Sequence, residues 1–193
     1  MSAISLEQSK LAYRADFAFY ALAIAAFSTY VVACCMGNSW IDGTVLVLTA
    51  IVGLCSWSFI EYFIHRFVLH GLQPFKRWHA EHHSRPTALI GAPTLLSSGL
   101  IFILVFVPAW AWLGLQSAAA LTLGVLMGYS AYTIAHHAVH HWRAKGQWLA
   151  KRKRWHALHH NPDAIYPPSR YGVTTSFWDD VFATAPASLS AHE

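Results

Sequence analysis

The chain has 193 residues, 55% of them hydrophobic, 15% aromatic and only 11% charged, whereas a soluble domain carries about 25% charged residues. With a mean hydropathy of +0.37, this composition excludes an ordinary water-soluble globule. The formal charge of +4 is modest, and thirteen histidines stand beside only nine carboxylates.

In chain order, Met1–Asp16 is polar and mixed in charge, and the uncharged run after it is too long for the core of a signal peptide. Residues 17–41 hold no charged side chain, enough for a helix to cross about 30 Å of hydrocarbon. Gly37, Asn38, Ser39 and Asp42 read as a turn. A second apolar run starts near Gly43 and continues into Glu61, His65 and His70. A polar segment, Gly71–Pro86, follows. From Thr87 to Trp142 there is no Asp, Glu, Lys or Arg in 56 residues, too long for one crossing and right for two joined near Gly114–Ser117. Arg143–Glu193 is polar again. The fold expected is all-α and integral to a membrane: four transmembrane helices at 17–37, 43–63, 93–113 and 118–138, in a single domain over 1–193. A histidine-rich helical cap is formed by 64–92 and 139–193. Cys34, Cys35 and Cys55 lie in apolar runs without a CxxC spacing and read as small buried or lipid-facing residues.

Charge placement orients this arrangement. All thirteen Lys and Arg, at positions 10, 14, 66, 76, 77, 85, 143, 145, 151–154 and 170, fall on one side of a four-span chain, and the turns near 37–42 and 114–117 have none. The positive-inside rule then makes the cap and both termini cytoplasmic, whether the membrane is a bacterial inner membrane or the endoplasmic reticulum. The basic run KRKR at 151–154 is expected to touch anionic headgroups rather than nucleic acid. Trp78 and Trp155 are expected at headgroup level or packed against the histidine helices.

All thirteen histidines share the charged side, and twelve of them form four groups. His65 and His70 are five apart. The octapeptide KRWHAEHH at 76–83 carries His79, His82 and His83, and its near-copy KRWHALHH at 153–160 carries His156, His159 and His160. His136, His137, His140 and His141 are two overlapping i, i+4 pairs, between which periodicity does not choose. His192 belongs to no group. In an α-helix the i, i+3, i+4 spacing puts three imidazoles on one face, and neutral imidazole is a good transition-metal ligand. So many unpartnered buried rings would cost about 1–3 kcal/mol each. A polynuclear metal site resolves this. On an ideal helix His65 and His70 diverge by about 140° and are expected to face two different metals. Glu61, one turn before His65, is placed to accept its other ring N–H, and Asp163 and Asp179 are candidates for similar work.

The ordered set HX4H, HxxHH, a paired-histidine segment and HxxHH resembles the fatty acid hydroxylase (sterol desaturase) superfamily of membrane di-metal oxygenases. The resemblance runs from about Glu61 to Thr184. It is strongest to the fatty acid 2-hydroxylase branch, through EYFIHRFVLHG at 61–71, APTLL at 92–96, YTIAHHAVHH at 132–141 and YGVTTSFWDDVFAT at 171–184. It implies His136 and His140 as the ligands of the third group. One metal would be held by His70, His79, His82, His136 and His156, and the other by His65, His83, His140, His159 and His160. It further implies two non-haem irons (zinc being an alternative occupant on isolation), O2 as co-substrate, and a lipid acyl chain as the substrate to be hydroxylated. The electron donor is expected to be a separate protein, cytochrome b5-like or a ferredoxin with its reductase. The alternatives are sterol methyl oxidation or desaturation and carotenoid hydroxylation in the same superfamily. Outside it stand a metal-binding or transport protein and a haem protein. The tail departs from the family in reading FAT for the usual FGT, which puts Ala183 where a turn is expected to be constrained.

Overall fold

The computed structural model describes residues 6–160 and 169–185, and among these it is helical, the sole pairing of extended chain being an isolated bridge between Glu7 and Ile90. The helices are α1 (Lys10–Gly37), α2 (Trp40–Phe63), α3 (Phe75–Ser84), α4 (Thr94–Ile101), α5 (Val107–His141), α6 (Gln147–His160) and α7 (Phe177–Val181). Two π-helical stretches, Ile64–Leu69 after α2 and Phe102–Phe106 after α4, carry the helical path onward.

Three continuous helical stretches are long and apolar enough to cross a membrane: Lys10–Gly37, Trp40–Leu69 and Thr94–His141. The last has 48 residues, about 72 Å if straight and more than twice the hydrocarbon thickness. It is not straight. Gly114 has φ 80° and ψ 168°, a conformation that only glycine adopts at little cost, and it breaks the stretch where the sequence expects a turn.

Helix ends follow local chemistry. Ser9 accepts the Ala12 N–H at 3.2 Å to start α1, and Asn38 closes it by donating its backbone N–H to Cys34. Ser39 accepts the Asp42 N–H at 3.3 Å and donates its hydroxyl to the Asp42 carboxylate at 2.7 Å, so one residue pair starts α2.

The chain divides into two compact units. The first comprises Met1–Trp57 and Leu89–Ser130. Its core is Val31, Leu46, Ala119, Ala120 and Leu123, flanked by Ile24, Phe27 and Ala50. Here α2 and α5 approach until side chains no longer fit between them. A Cβ on Gly53 would fall 2.2 Å from the Leu121 carbonyl oxygen, and one on Gly124 would fall 2.0 Å from that of Ala50. Apolar helices in lipid associate through such small-residue seams, since burying apolar surface gains little there. Within the same unit Tyr20 bonds the Ser97 hydroxyl at 2.7 Å, and Asn38 donates to Gln116 at 2.7 Å, joining the two turns that lack Lys and Arg. Cys34, Cys35 and Cys55 are free thiols. Large apolar side chains such as Leu22, Val52, Ile103 and Leu104 stay more than half exposed, as lipid-facing positions do.

The second unit comprises Ser58–Ala88 and Ala131–Glu193. It holds the end of α2 with the first π stretch, α3, the last part of α5, α6 and α7, and with them every histidine among the described residues.

Candidate metal centre

The site begins with a departure from α-helical geometry. Between Ile64 and Leu69 the backbone is π-helical, and the His70 N–H bonds the His65 carbonyl at 3.2 Å, an i to i+5 bond. That winding brings residues five apart onto one face. The rings of His65 and His70 therefore lie with centroids 5.3 Å apart, and the 140° divergence expected of an ideal α-helix does not arise. The two histidines serve one group, not two. Single-turn π segments of this kind cluster at functional sites.

Ten histidines gather into two groups of five. His65, His70, His79, His83 and His159 form one; His82, His136, His140, His156 and His160 form the other; within each, one nitrogen per ring lies within 4.8 Å of all the rest. The ten histidines that the resemblance implies are brought together, but they group differently from the division it implies. In each copy of the repeated octapeptide the i, i+4 pair stays together and the middle histidine crosses over. Helix α3 gives His79 and His83 to the first group and His82 to the second; α6 gives His156 and His160 to the second and His159 to the first. Residues i and i+4 stack over one another on a helix, while i+3 lies on the other side of the seam. His83 and His160 meet at the boundary, stacked at 4.2 Å with an interplanar angle of 7°. His136 and His140 point into the second group, whereas His137 and His141 stack on each other at 4.4 Å and join neither.

The ring nitrogens converge closely. In the first group the Nε2 atoms of His65 and His83 each lie 3.0 Å from that of His79, and His70 Nε2 lies 3.0 Å from His159 Nε2. In the second, His156 Nε2 lies 2.8 Å from His140 Nε2 and 3.0 Å from His160 Nε2. Two nitrogens bound to one ion at about 2.1 Å are about 3.0 Å apart when they subtend 90°, and about 3.4 Å apart at the tetrahedral angle. Separations of 2.8–3.0 Å are those of donors that one ion could hold in common.

The opposite ring nitrogens show which tautomer faces inward. His65 Nδ1 donates to the Tyr171 carbonyl at 2.5 Å and His159 Nδ1 donates to the Ser169 carbonyl at 2.9 Å. Each Nε2 is thereby left as a bare lone pair aimed at the group, the usual support for a ligand histidine. Glu61 does not take the His65 ring N–H. Its carboxylate accepts the N–H groups of Val173 and Thr174 at 2.5 and 2.9 Å and the Thr174 hydroxyl at 2.5 Å. Asp179, fully buried, accepts the N–H groups of Tyr171 and Gly172, both at 2.8 Å, and the Thr184 hydroxyl at 2.7 Å. Two buried carboxylates thus pin residues 171–174, and the pinned loop offers its carbonyls to the histidines. Asp163 lies outside the described residues. The carbonyls of Ser169 and Tyr171 escape sequence reading because a backbone acceptor leaves no residue signature.

The surrounding turns carry strain and cations. Arg170 and Ala183 have φ of 58° and 51°, so alanine occupies a left-handed position that glycine would fill more cheaply. Trp155 is buried, with Lys151, Arg152 and Arg170 over its ring at 4.7, 4.7 and 4.8 Å. Trp78 is half-buried and packs edge-on to Phe75 at 5.6 Å. Lys153 donates to the Val139 carbonyl at 2.8 Å, near the carboxyl end of α5.

Electrostatics keep the rings neutral. Burial first, then neighbouring imidazoles, push His82 down to about 2 and His160 to about 3; burial, His83 and Lys76 bring His70 to about 4. His79, His156 and His159 fall far below the ordinary histidine range for the same reasons. Both nitrogens of His82 are buried without a hydrogen-bond partner. Such a ring costs about 1–3 kcal/mol unless something binds it, and the bare Nε2 atoms beside it leave a cation as the fitting occupant. The donor set thus fits a pair of transition-metal ions.

A family model described as fatty acid hydroxylase matches residues 50–184. The chain belongs to the fatty acid hydroxylase family. It is 32% identical over 154 residues to a dihydroceramide fatty acyl 2-hydroxylase of Arabidopsis thaliana, covering 72% of this chain and 61% of that protein. It is 30% identical over 163 residues to a ceramide very long chain fatty acid hydroxylase of Schizosaccharomyces pombe, covering 73% and 43%. To a fatty acid 2-hydroxylase of Rattus norvegicus it is 32% identical over 149 residues, covering 69% and 38%. The matched region therefore spans less than two thirds of these relatives. Among solved structures the visible hydroxylase domain of scs7p aligns with a TM-score of 0.70 at 26% identity, covering 87% of this chain and 67% of that one.

Proposed function

We propose that this chain is a membrane-embedded, di-iron lipid hydroxylase that uses O2 to place a hydroxyl on a fatty acyl chain, at carbon 2 by likeness to its relatives. The observation that carries the reading is the pair of five-histidine groups, with Nε2 lone pairs turned inward and buried His82 otherwise unpartnered. His65, His70, His79, His83 and His159 would hold one iron, and His82, His136, His140, His156 and His160 the other. Irons held there would supply the oxygen activation needed to hydroxylate an unactivated C–H bond, for which no side chain suffices.

The chain's own residues do the rest. The Ser169 and Tyr171 carbonyls hold His159 and His65 in the tautomer that presents Nε2. Glu61 and Asp179 hold the loop that carries those carbonyls. Burial keeps the ligands neutral, so that protons do not compete with metal. All ten donors are imidazoles, with no carboxylate among them.

Four crossings with both termini and the histidines on the cytoplasmic side are supported by the break at Gly114, by the bond joining the turns at Asn38 and Gln116, and by the one-sided placement of Lys and Arg. Two electrons would come from a separate donor protein. The test is lipid mass spectrometry of a host lacking hydroxylated acyl chains. Expression of this chain adds one oxygen to fatty acyl species, and His82→Ala or His159→Ala abolishes the addition while the protein stays in the membrane. A sterol or carotenoid product, or full activity in either variant, defeats the proposal.

A further inference from the structure

We infer that the second unit carries a binding groove for the acyl chain of an anionic phospholipid, on the side of α5 away from His136 and His140. The groove has a volume of about 490 Å³ and is lined by Ala131, Ala135, Ala138, Trp142, Trp148 and Thr174, among others. That volume lies within the range of small-molecule sites. On an α-helix Ala131, Ala135, Ala138 and Trp142 fall within about 60° of arc, and His136 and His140 lie about 130–170° round from the middle of that stripe. The groove is therefore separate from the metal centre.

Its chemistry selects hydrocarbon. Thr174 is the one lining residue with a hydroxyl, and both its N–H and its hydroxyl are already donated to Glu61. Apart from the indole N–H groups of Trp142 and Trp148 the lining offers no polar side chain free to bond, which suits an acyl chain better than a peptide. The small side chains of Ala131, Ala135 and Ala138 leave the trough, and Trp142 and Trp148, each more than half exposed, flank it as tryptophans do at headgroup level.

The charge beside the groove selects the headgroup. Trp142 and Trp148 are joined by a short segment that carries Arg143 and Lys145, both exposed. Among the described residues neither cation is in an ion pair. An apolar trough at the end of an apolar helix, topped by two uncommitted cations between two tryptophans, matches a lipid with an acyl chain below and a phosphate above. Each such cation enriches an anionic lipid about fivefold at a membrane surface. The occupant would also back Thr174, three residues from the Tyr171 carbonyl that holds His65. The inference rests on reading α5 as membrane-embedded, and lipid binding is measured independently of acyl hydroxylation.

The test uses the whole chain in phosphatidylcholine nanodiscs containing a minor fraction of phosphatidylglycerol brominated on its acyl chains, with tryptophan fluorescence as readout. Wild-type quenching exceeds that of the same fraction of brominated phosphatidylcholine at least about fivefold per lipid. The excess disappears in the R143Q/K145Q double variant, survives in R143K/K145R, and is lost in A131F, which fills the trough. Equal quenching by the two wild-type lipids overturns the proposal without recourse to any variant. An excess that survives R143Q/K145Q, or one that A131F leaves intact, marks general surface adsorption and overturns it too.

Discussion

Replacing Glu61 by alanine removes no metal ligand, yet it should weaken metal retention and lower stability. The carboxylate accepts hydrogen bonds from Val173 N–H, Thr174 N–H and the Thr174 hydroxyl at 2.5, 2.9 and 2.5 Å. Glu61 is 3% exposed, so water does not readily replace it. Each buried donor left unsatisfied costs about 1–3 kcal/mol, and two backbone N–H groups give about 2–6 kcal/mol of lost stability. The loop so released carries the Tyr171 carbonyl, which fixes the His65 tautomer at 2.5 Å. Loss of such a supporting contact typically costs 10- to 100-fold in metal affinity or activity. Glu61→Gln keeps one acceptor oxygen for the two N–H groups and should lose far less. The assays are thermal unfolding in detergent and iron content after dialysis against graded chelator. If Glu61→Ala keeps wild-type unfolding and wild-type iron retention, the loop does not support the site.

Four other outcomes follow from the geometry. Ala183→Gly should stabilise the protein by roughly 0.5–1 kcal/mol, because relief of a left-handed alanine at φ 51° outweighs the added chain entropy; a lower unfolding temperature would contradict this. Gly124→Val should prevent stable membrane accumulation, since its Cβ would meet the Ala50 backbone oxygen at 2.0 Å and no rotamer relieves that; wild-type expression would count against the seam. The metal-free protein should lose stability as pH falls below about 6.5. His156 and His159 are protonated in the unfolded chain there but held well below that value when folded, so the unfolded state binds more protons. The loss is about 1.4 kcal/mol per pH unit for each such ring, with a plateau above pH 6.5; denaturant midpoints across pH measure it, and a flat profile would refute it. Finally, His82→Ala should lose about half of the bound iron, while His137→Ala should lose none, since His137 stacks on His141 outside both groups; elemental analysis distinguishes them.

Much of this was legible in the residues. Long uncharged runs marked the apolar helices, and i, i+3, i+4 spacing marked His79, His82, His83, His156, His159 and His160 as one-sided sets. The family pattern picked His136 and His140 from four candidates. The pairing of His65 with His70 was not legible, because period 3.6 is the default and nothing local in IHRFVL announces a π turn. The grouping implied by the resemblance differs there, and also in α3, where His79 lies with His83 and not with His82. Glu61 was recognised as important but given the wrong partner: it bonds residues 112 and 113 positions away, and no spacing rule reaches that far. The Ser169 and Tyr171 carbonyls belong to the backbone and have no letter of their own.

In the proposed reaction an oxygen atom of O2 reaches an acyl chain at a site that would hold two irons. The direct measurement is mass spectrometry of acyl lipids from cells expressing this chain under isotopically heavy O2. One heavy oxygen should appear per hydroxylated acyl chain with wild type, and none with His82→Ala. Hydroxyl oxygen drawn from water, or labelled product that persists in His82→Ala, would contradict it.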